Sequence, residues 1–362
     1  MQQSGSTYNI AKVILSTVLL LTMCLYCNAQ EFGEALLKYP EKIVGLTQFG
    51  INKTEDIINK YLDQKDSLYI SPNKYKLTLM AQYINNYEYY RFSLPDAKQS
   101  ITLMPDNSDK IGVYVGWKWI FLGWAFDINK NRAKSDWNFS FYTAKVGIDI
   151  FYRKRSKGFR IKELKGFKNS DGQEIRNYSR RFDGISVSQR GINVYYIFNN
   201  KYFSYPAAYS QTTNQLRSCG TFILGFNYSE QSFNIDTKKF DTSIETAMSP
   251  SLKFNIIRYK DYSINLGYSY NWVFAKNCLA NISMTPAIGY KNTSFKLTAS
   301  KEFVDNINFD FISRAAIVYN NTRYFIGASL ISHTYSYRRS NLSIVNGFGT
   351  LNIYAGINLF KK

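Results

Sequence analysis

Histidine is almost missing from this chain: one residue in 362, beside 4 Cys and 7 Pro. A single imidazole excludes a His-based metal cluster and leaves at most one for acid–base chemistry. The cysteines are too few to staple a chain of this length, which excludes a disulfide scaffold. Repeated apolar runs of about 20 residues, the mark of a polytopic helical membrane protein, are also lacking. What the chain does have is aromatic and basic. Tyr (30), Phe (26) and Trp (5) make up 17% of it, hydrophobic residues 45%, and the net charge is +19. So much apolar side chain excludes a disordered protein. The charge points to anionic partners: phosphorylated lipid, nucleic acid or acidic solutes.

The beginning reads as an export signal. Lys12 leads into the apolar run Val13 to Tyr26, and Cys27-Asn28-Ala29 puts a small residue at the expected cleavage edge. A lipoprotein signal acylated on Cys24 is disfavoured by the bulky Met23 before it. Thr54, Glu55 and Asp56 cap a helical face of Ile57, Ile58, Tyr61 and Leu62 that runs to about Asp63. The expected division is therefore 1–29 signal peptide, 30–70 periplasmic helical lead and 71–362 barrel. Cys219 and Cys278 would survive cleavage, and the strand order below sets them at opposite ends, unpaired.

From Pro72 onward the apolar period changes to two. In Tyr262 to Phe274 one parity reads Tyr, Ile, Leu, Tyr, Tyr, Trp, Phe and the other Ser, Asn, Gly, Ser, Asn, Val. The same split recurs in Phe222 to Ser229, Ala280 to Tyr290 and Leu351 to Leu359. A soluble sandwich alternates too, but its strands are shorter and its polar faces carry fewer Gly, Ser and Asn. The pattern predicts an all-β fold: a transmembrane, antiparallel, up-and-down β-barrel of about 12 strands with a short N-terminal helix. The strands are placed at 75–93, 111–127, 137–153, 182–198, 220–235, 250–257, 262–274, 279–290, 294–303, 307–319, 324–335 and 348–360. Lys260-Asp261, Lys291-Asn292 and Asn320-Asn321 are read as tight turns on one side. Parity slips between Val187 and Ile192, which suggests a β-bulge.

The other side would carry the long loops. The stretch Arg153 to Arg181 holds eleven Lys and Arg against Glu163, Asp171 and Glu174, and eleven less three leaves +8. Arg153, Lys154, Arg155, Lys157, Arg160, Arg180 and Arg181 are its candidates for contact with lipopolysaccharide phosphates. A loop kept soluble by charge is the competing reading. Nucleic acid is not expected, since no recognition motif is present. Inside, Lys118, Lys296, Asp310, Arg314 and His333 fall on the parity assigned to the lumen. Unpaired inward cations would favour anion passage; internal charge pairs that brace a closed lumen are the preferred explanation. The segment Asn199 to Ser218 is too long for a hairpin turn. It is either a partial plug or an ordered cap that seals the end, with the cap preferred.

Six blocks carry a resemblance: Ser71-Pro72-Asn73-Lys74-Tyr75, Tyr87-Glu88-Tyr89-Tyr90-Arg91, Gly116 to Gly123, Arg181-Phe182-Asp183-Gly184, Phe203 to Gln211 and Arg217-Ser218-Cys219-Gly220. They resemble the signature of an uncharacterised Bacteroidetes family of outer-membrane β-barrels, domain of unknown function 4421. The resemblance covers Ser71 to the C-terminus and implies export to a Gram-negative outer membrane, with no catalytic residues to transfer. Outer-membrane lipases and lipid A deacylases resemble one another in placing a His two residues before a Ser. Here Thr334 and Tyr335 follow His333. The expectation is a non-enzymatic barrel, structural or surface-binding, without metal or organic cofactor. Its partners would be outer-membrane lipid and lipopolysaccharide and, during biogenesis, the assembly machinery, which a C-terminal aromatic strand resembles the signal for. A small anion-favouring pore is the alternative, with a lipid-modifying enzyme behind it.

Overall fold

The computed structural model describes residues 65–361, apart from 118–119, 129–133, 170, 176–177, 297–300 and 340–341. The expected signal peptide and the helix at 54–63 lie outside the described residues. Seventeen strands follow in chain order: β1 (Ile70–Pro72), β2 (Tyr75–Leu94), β3 (Gln99–Pro105), β4 (Ser108–Trp117), β5 (Ile120–Asp127), β6 (Lys134–Tyr142), β7 (Val146–Arg155), β8 (Phe159–Lys165), β9 (Arg180–Phe182), β10 (Ile185–Ile197), β11 (Thr213–Gln215), β12 (Cys219–Ile235), β13 (Ile256–Ala275), β14 (Cys278–Lys296), β15 (Lys301–Asn320), β16 (Tyr324–Arg339) and β17 (Leu342–Lys361). Two short helices, α1 (Tyr205–Tyr209) and α2 (Thr242–Ala247), lie between them.

Twelve of these strands form the wall of an antiparallel up-and-down β-barrel in the order β2, β4, β5, β6, β7, β10, β12, β13, β14, β15, β16, β17, and β17 returns to pair with β2. Ladders join each neighbouring pair except β5 and β6, for which no ladder is recorded among the described residues. About twelve strands were expected and seventeen are present, twelve of them in the wall and differently partitioned. Ser108 to Asp127 is a hairpin of two strands, and so is Lys134 to Arg155, where one strand each was expected. Conversely, β13 runs unbroken through Lys260-Asp261, and β14 through Lys291-Asn292. The physical reason is burial: Asp261 and Lys291 turn inward and pair, so residues that look like turn formers are lumen charges. Asn320-Asn321 does make a turn, with Thr322 at φ 76°.

The wall has a near end, where β2 begins and β17 finishes, and a far end. Cys219 opens β12 and Cys278 opens β14, so both thiols sit at the near end rather than at opposite ends; each is free. At the far end the chain breaks twice at one level, after Pro105, which has no N–H to donate, and at Ser156 to Gly158. The Asp106 N–H donates to the Gly158 carbonyl at 2.7 Å, and Gly158 adopts φ 80°, a conformation side chains resist. The joined kinks let β3 pair with β8, and β8 with β9, carrying the wall past the shorter β5 and β6.

Exposed apolar side chains line the outward side of the wall, among them Val113 of β4, Phe139 of β6, Leu224 of β12 and Ile353 of β17. On β13 the exposed residues are Tyr262, Ile264, Leu266, Tyr268, Tyr270, Trp272 and Phe274. Twelve steps of ~3.3 Å, tilted by ~40°, give an apolar band roughly 30 Å tall. In β10 no bulge is found: Ile185 to Ile197 pair with β12 and Val187 to Tyr196 with β7, neither with a register shift. Parity only seems to slip because the inward face itself turns apolar toward the far end, where Ile185 and Val187 join a hydrophobic core.

Candidate functional site

The lumen is occupied along its length, and it changes character from one end to the other. At the far end the loop 236–255, including α2, folds into the mouth. Its Phe240, Ile244, Met248, Leu252 and Phe254 pack with Phe92, Leu103, Phe159 and Phe233 from the wall. Phe182 stacks on Phe240 with ring centres 4.1 Å apart, which explains the Arg181-Phe182-Asp183-Gly184 block as the hinge of this cap. Outside the core, Tyr178 donates to Asp241 at 2.7 Å, and partial burial together with that carboxylate pushes its phenol up to about 12.

The middle of the lumen is a charged lattice. Among the described residues, four cations and four carboxylates are buried in the molecule: Arg153, Arg155, Lys291 and Arg314 with Glu88, Asp149, Asp261 and Asp310. Arg314 meets Asp149 at 2.6 Å. Lys291 meets Asp310 at 2.7 Å and Asp261 at 3.7 Å. Glu88 receives Arg155 at 2.8 Å and Arg153 at 3.5 Å. Such pairs hold only when both members are present, because an isolated charge in an enclosed interior is strongly disfavoured. Gly289 leaves the space for the lysine node: a Cβ there would fall 2.5 Å from Asp261 Oδ1. The Tyr87-to-Arg91 block is also accounted for. Tyr87 and Tyr89 lie against Gly349 and Gly347, while Glu88 points inward.

At the near end, Asn199 to Ser218 enters the barrel. Ser204 caps α1, and its Tyr205 hydroxyl reaches Ser283 of β14 at 2.7 Å. Tyr209 donates to Asn281 at 2.7 Å, and Asn271 Nδ2 donates to the Ser204 carbonyl at 2.9 Å. Gln211, at φ 59°, donates to Tyr354 and accepts from Asn320. β11 then pairs with β1, tying the segment to the stretch before β2. The segment is a plug held to inward wall side chains rather than the ordered cap at the barrel's end preferred from sequence. The signal for it was present as Tyr205, Tyr209 and Gln211, side chains able to both pack and hydrogen-bond.

A family model described as a domain of unknown function, DUF4421, matches residues 64–358. The chain belongs to this family. No curated protein matches it. Among solved structures, the outer-membrane protease OmpT of Escherichia coli is similar at 8% identity and TM-score 0.37, covering 80% of this chain and 98% of that one. Ail, the attachment invasion locus protein of Yersinia pestis, is similar at 11% and 0.23 (58% and 96% covered). OprG of Pseudomonas aeruginosa is similar at 8% and 0.24 (80% and 98%).

The expected site residues of this DUF4421 chain divide as follows. Asp310, Arg314 and His333 are buried in the lumen. Lys118 lies outside the described residues, and Lys296 closes β14 without a described side chain. His333 stacks on Phe348 (5.0 Å) beside Phe151 (5.7 Å), and its Nδ1 has no hydrogen-bond partner among the described residues. The ring is thus packed among aromatic side chains, stacked on Phe348 and tilted against Phe151. Of the loop cations, Arg153 and Arg155 are corrected outright: both end β7 with side chains about 2% exposed, facing Glu88, because alternate residues of a strand share one face. Lys154, between them, is exposed, as is Lys157. Arg160, Arg180 and Arg181 are exposed and paired with Asp106, Asp241 and Asp183.

Proposed function

We propose that this protein is an integral barrel of the Gram-negative outer membrane whose sealed lumen serves a structural or surface-presenting role rather than solute passage. The near end with its plug then faces the periplasm and the capped far end the exterior. The observation that carries the reading is the pairing of an apolar outer band with an inner face whose buried charges, among the described residues, are paired with one another, four cations with four carboxylates. A band of that height suits hydrocarbon. Balanced, mutually hydrogen-bonded charges brace a wall, whereas a cation-lined lumen would concentrate anions. Export by a cleaved signal peptide belongs to the same reading.

Planar-bilayer recording on folded, purified protein tests it. Quiet membranes into which protein has demonstrably inserted are expected. Regular single-channel steps would overturn the sealed lumen and restore the anion-pore alternative, especially if they reversed at a chloride potential.

A further inference from the structure

We propose that the outward face of β7, β10, β12 and β13 at the far edge of the apolar band binds the phosphates of an outer-leaflet glycolipid through Lys154, Arg190, Arg258 and Lys260. The inference rests on the membrane residence proposed above.

Register makes the site visible. Phe139, Ile150, Ile192, Tyr228, Tyr262 and Tyr290 are successive cross-strand partners on six strands, an unbroken apolar row. Two residues farther along, ~7 Å toward the far end, the partners are Arg190, Glu230 and Lys260. The next outward step is Lys154, Ser188, Ser232 and Arg258. On β10 and β13 the surface thus changes from apolar to cationic within one step, while on β7 Tyr152 intervenes before Lys154. Four cations less one carboxylate leave +3 across three strand spacings, roughly 14 Å. Lys154 and Arg258 are exposed, and the Arg190 side chain is 65% exposed. Glu230 is the organiser: it accepts from Arg190 Nε at 2.7 Å and from the Tyr228 hydroxyl, and lies 3.9 Å from Lys260. It holds two cations over the tyrosine row.

A ligand matching both zones must carry acyl chains for the band and negative charge directly above them. Phosphate fits the charge, since guanidinium bonds it bidentately and ammonium as a point charge. None of this was legible while Lys260 was taken for a turn and Lys154 for a loop residue.

The experiment uses the full chain inserted in phosphatidylcholine vesicles containing either bisphosphorylated lipid A or the same lipid dephosphorylated. Lipid retained per protein is measured after detergent extraction, with heat-modifiable migration confirming the folded barrel. Wild type is expected to retain the phosphorylated form, and Lys154→Ala/Arg258→Ala to lose it by about tenfold, while Lys154→Arg/Arg258→Lys keeps it. Equal retention by the alanine variant, equal retention of dephosphorylated lipid by wild type, or full displacement by millimolar inorganic phosphate would each overturn the glycolipid site while leaving membrane residence intact. Failure of wild type to insert would remove both.

Discussion

The two ends of the lumen differ in how much of their packing is apolar and how much is hydrogen-bonded. The far end is closed by aromatic and aliphatic side chains whose stability comes from removing apolar surface from water, a non-directional effect that scales with area. The near end is closed by a plug that packs Phe203, Tyr205, Ala207 and Ala208 on wall residues such as Ile197, Ile223, Val318 and Phe325 and adds hydroxyl and amide bonds to that packing: Tyr205 with Ser283, Tyr209 with Asn281, Gln211 with Tyr354. Each such bond replaces one with water and nets only about 1 kcal/mol. The far end, with the larger apolar cluster, should therefore lose more stability per truncated side chain than the near end loses per hydrogen bond removed.

The largest effect tests the first half of that contrast. Phe233→Ala, at a fully buried ring packed between Phe92 and Tyr90, is expected to cost about 3–5 kcal/mol in urea unfolding of the micelle-bound protein. A comparable loss, again about 3–5 kcal/mol, is expected for Glu88→Gln, which leaves Arg153 and Arg155 without their shared carboxylate. If Glu88→Gln proves harmless, the charged middle is not a brace.

Smaller effects belong to the plug and the rim. Tyr205→Phe keeps the ring and removes one hydroxyl, so about 1 kcal/mol is expected; a loss equal to that of Phe233→Ala would erase the distinction between the two ends. Arg180→Ala breaks an exposed pair with Asp241 and should change stability by less than about 1 kcal/mol. The Tyr178 phenol sharpens the picture by pH. Burial and the Asp241 carboxylate push it up to about 12 from the ordinary phenol value of about 10, so its contribution is complete below pH ~10 and fades as pH rises toward about 12. Tyr178→Phe should flatten that part of the stability profile.

Much of the wall was legible in the sequence because the outward parity of β12 to β17 is apolar almost without interruption. The inward face was less legible, for a physical reason. Asp261 and Lys291 are hydrophilic and resemble turn residues, yet they are stable in mid-strand because each supplies the other's counter-charge across neighbouring strands. Val187 and Ile185 are apolar on the inward parity because the far end is a core, not a watery lumen. Strand boundaries drawn from hydrophilicity alone thus fell inside β13 and β14 and ran β4 and β5 together as one strand. The plug had a readable composition, but its destination was not readable, since a Tyr that can hydrogen-bond does not name its partner.

By itself, then, the order of residues determined the two-residue rhythm, the greasy outer surface and the antiparallel wall, all consequences of alternation along an extended chain. Only the folded molecule decided which cations face hydrocarbon's edge and which are locked inside, since adjacent residues such as Arg153 and Lys154 go to opposite faces and the register with neighbouring strands supplies their partners. That register is long-range information, spread over residues as distant as Glu88 and Arg155, and no local pattern carries it.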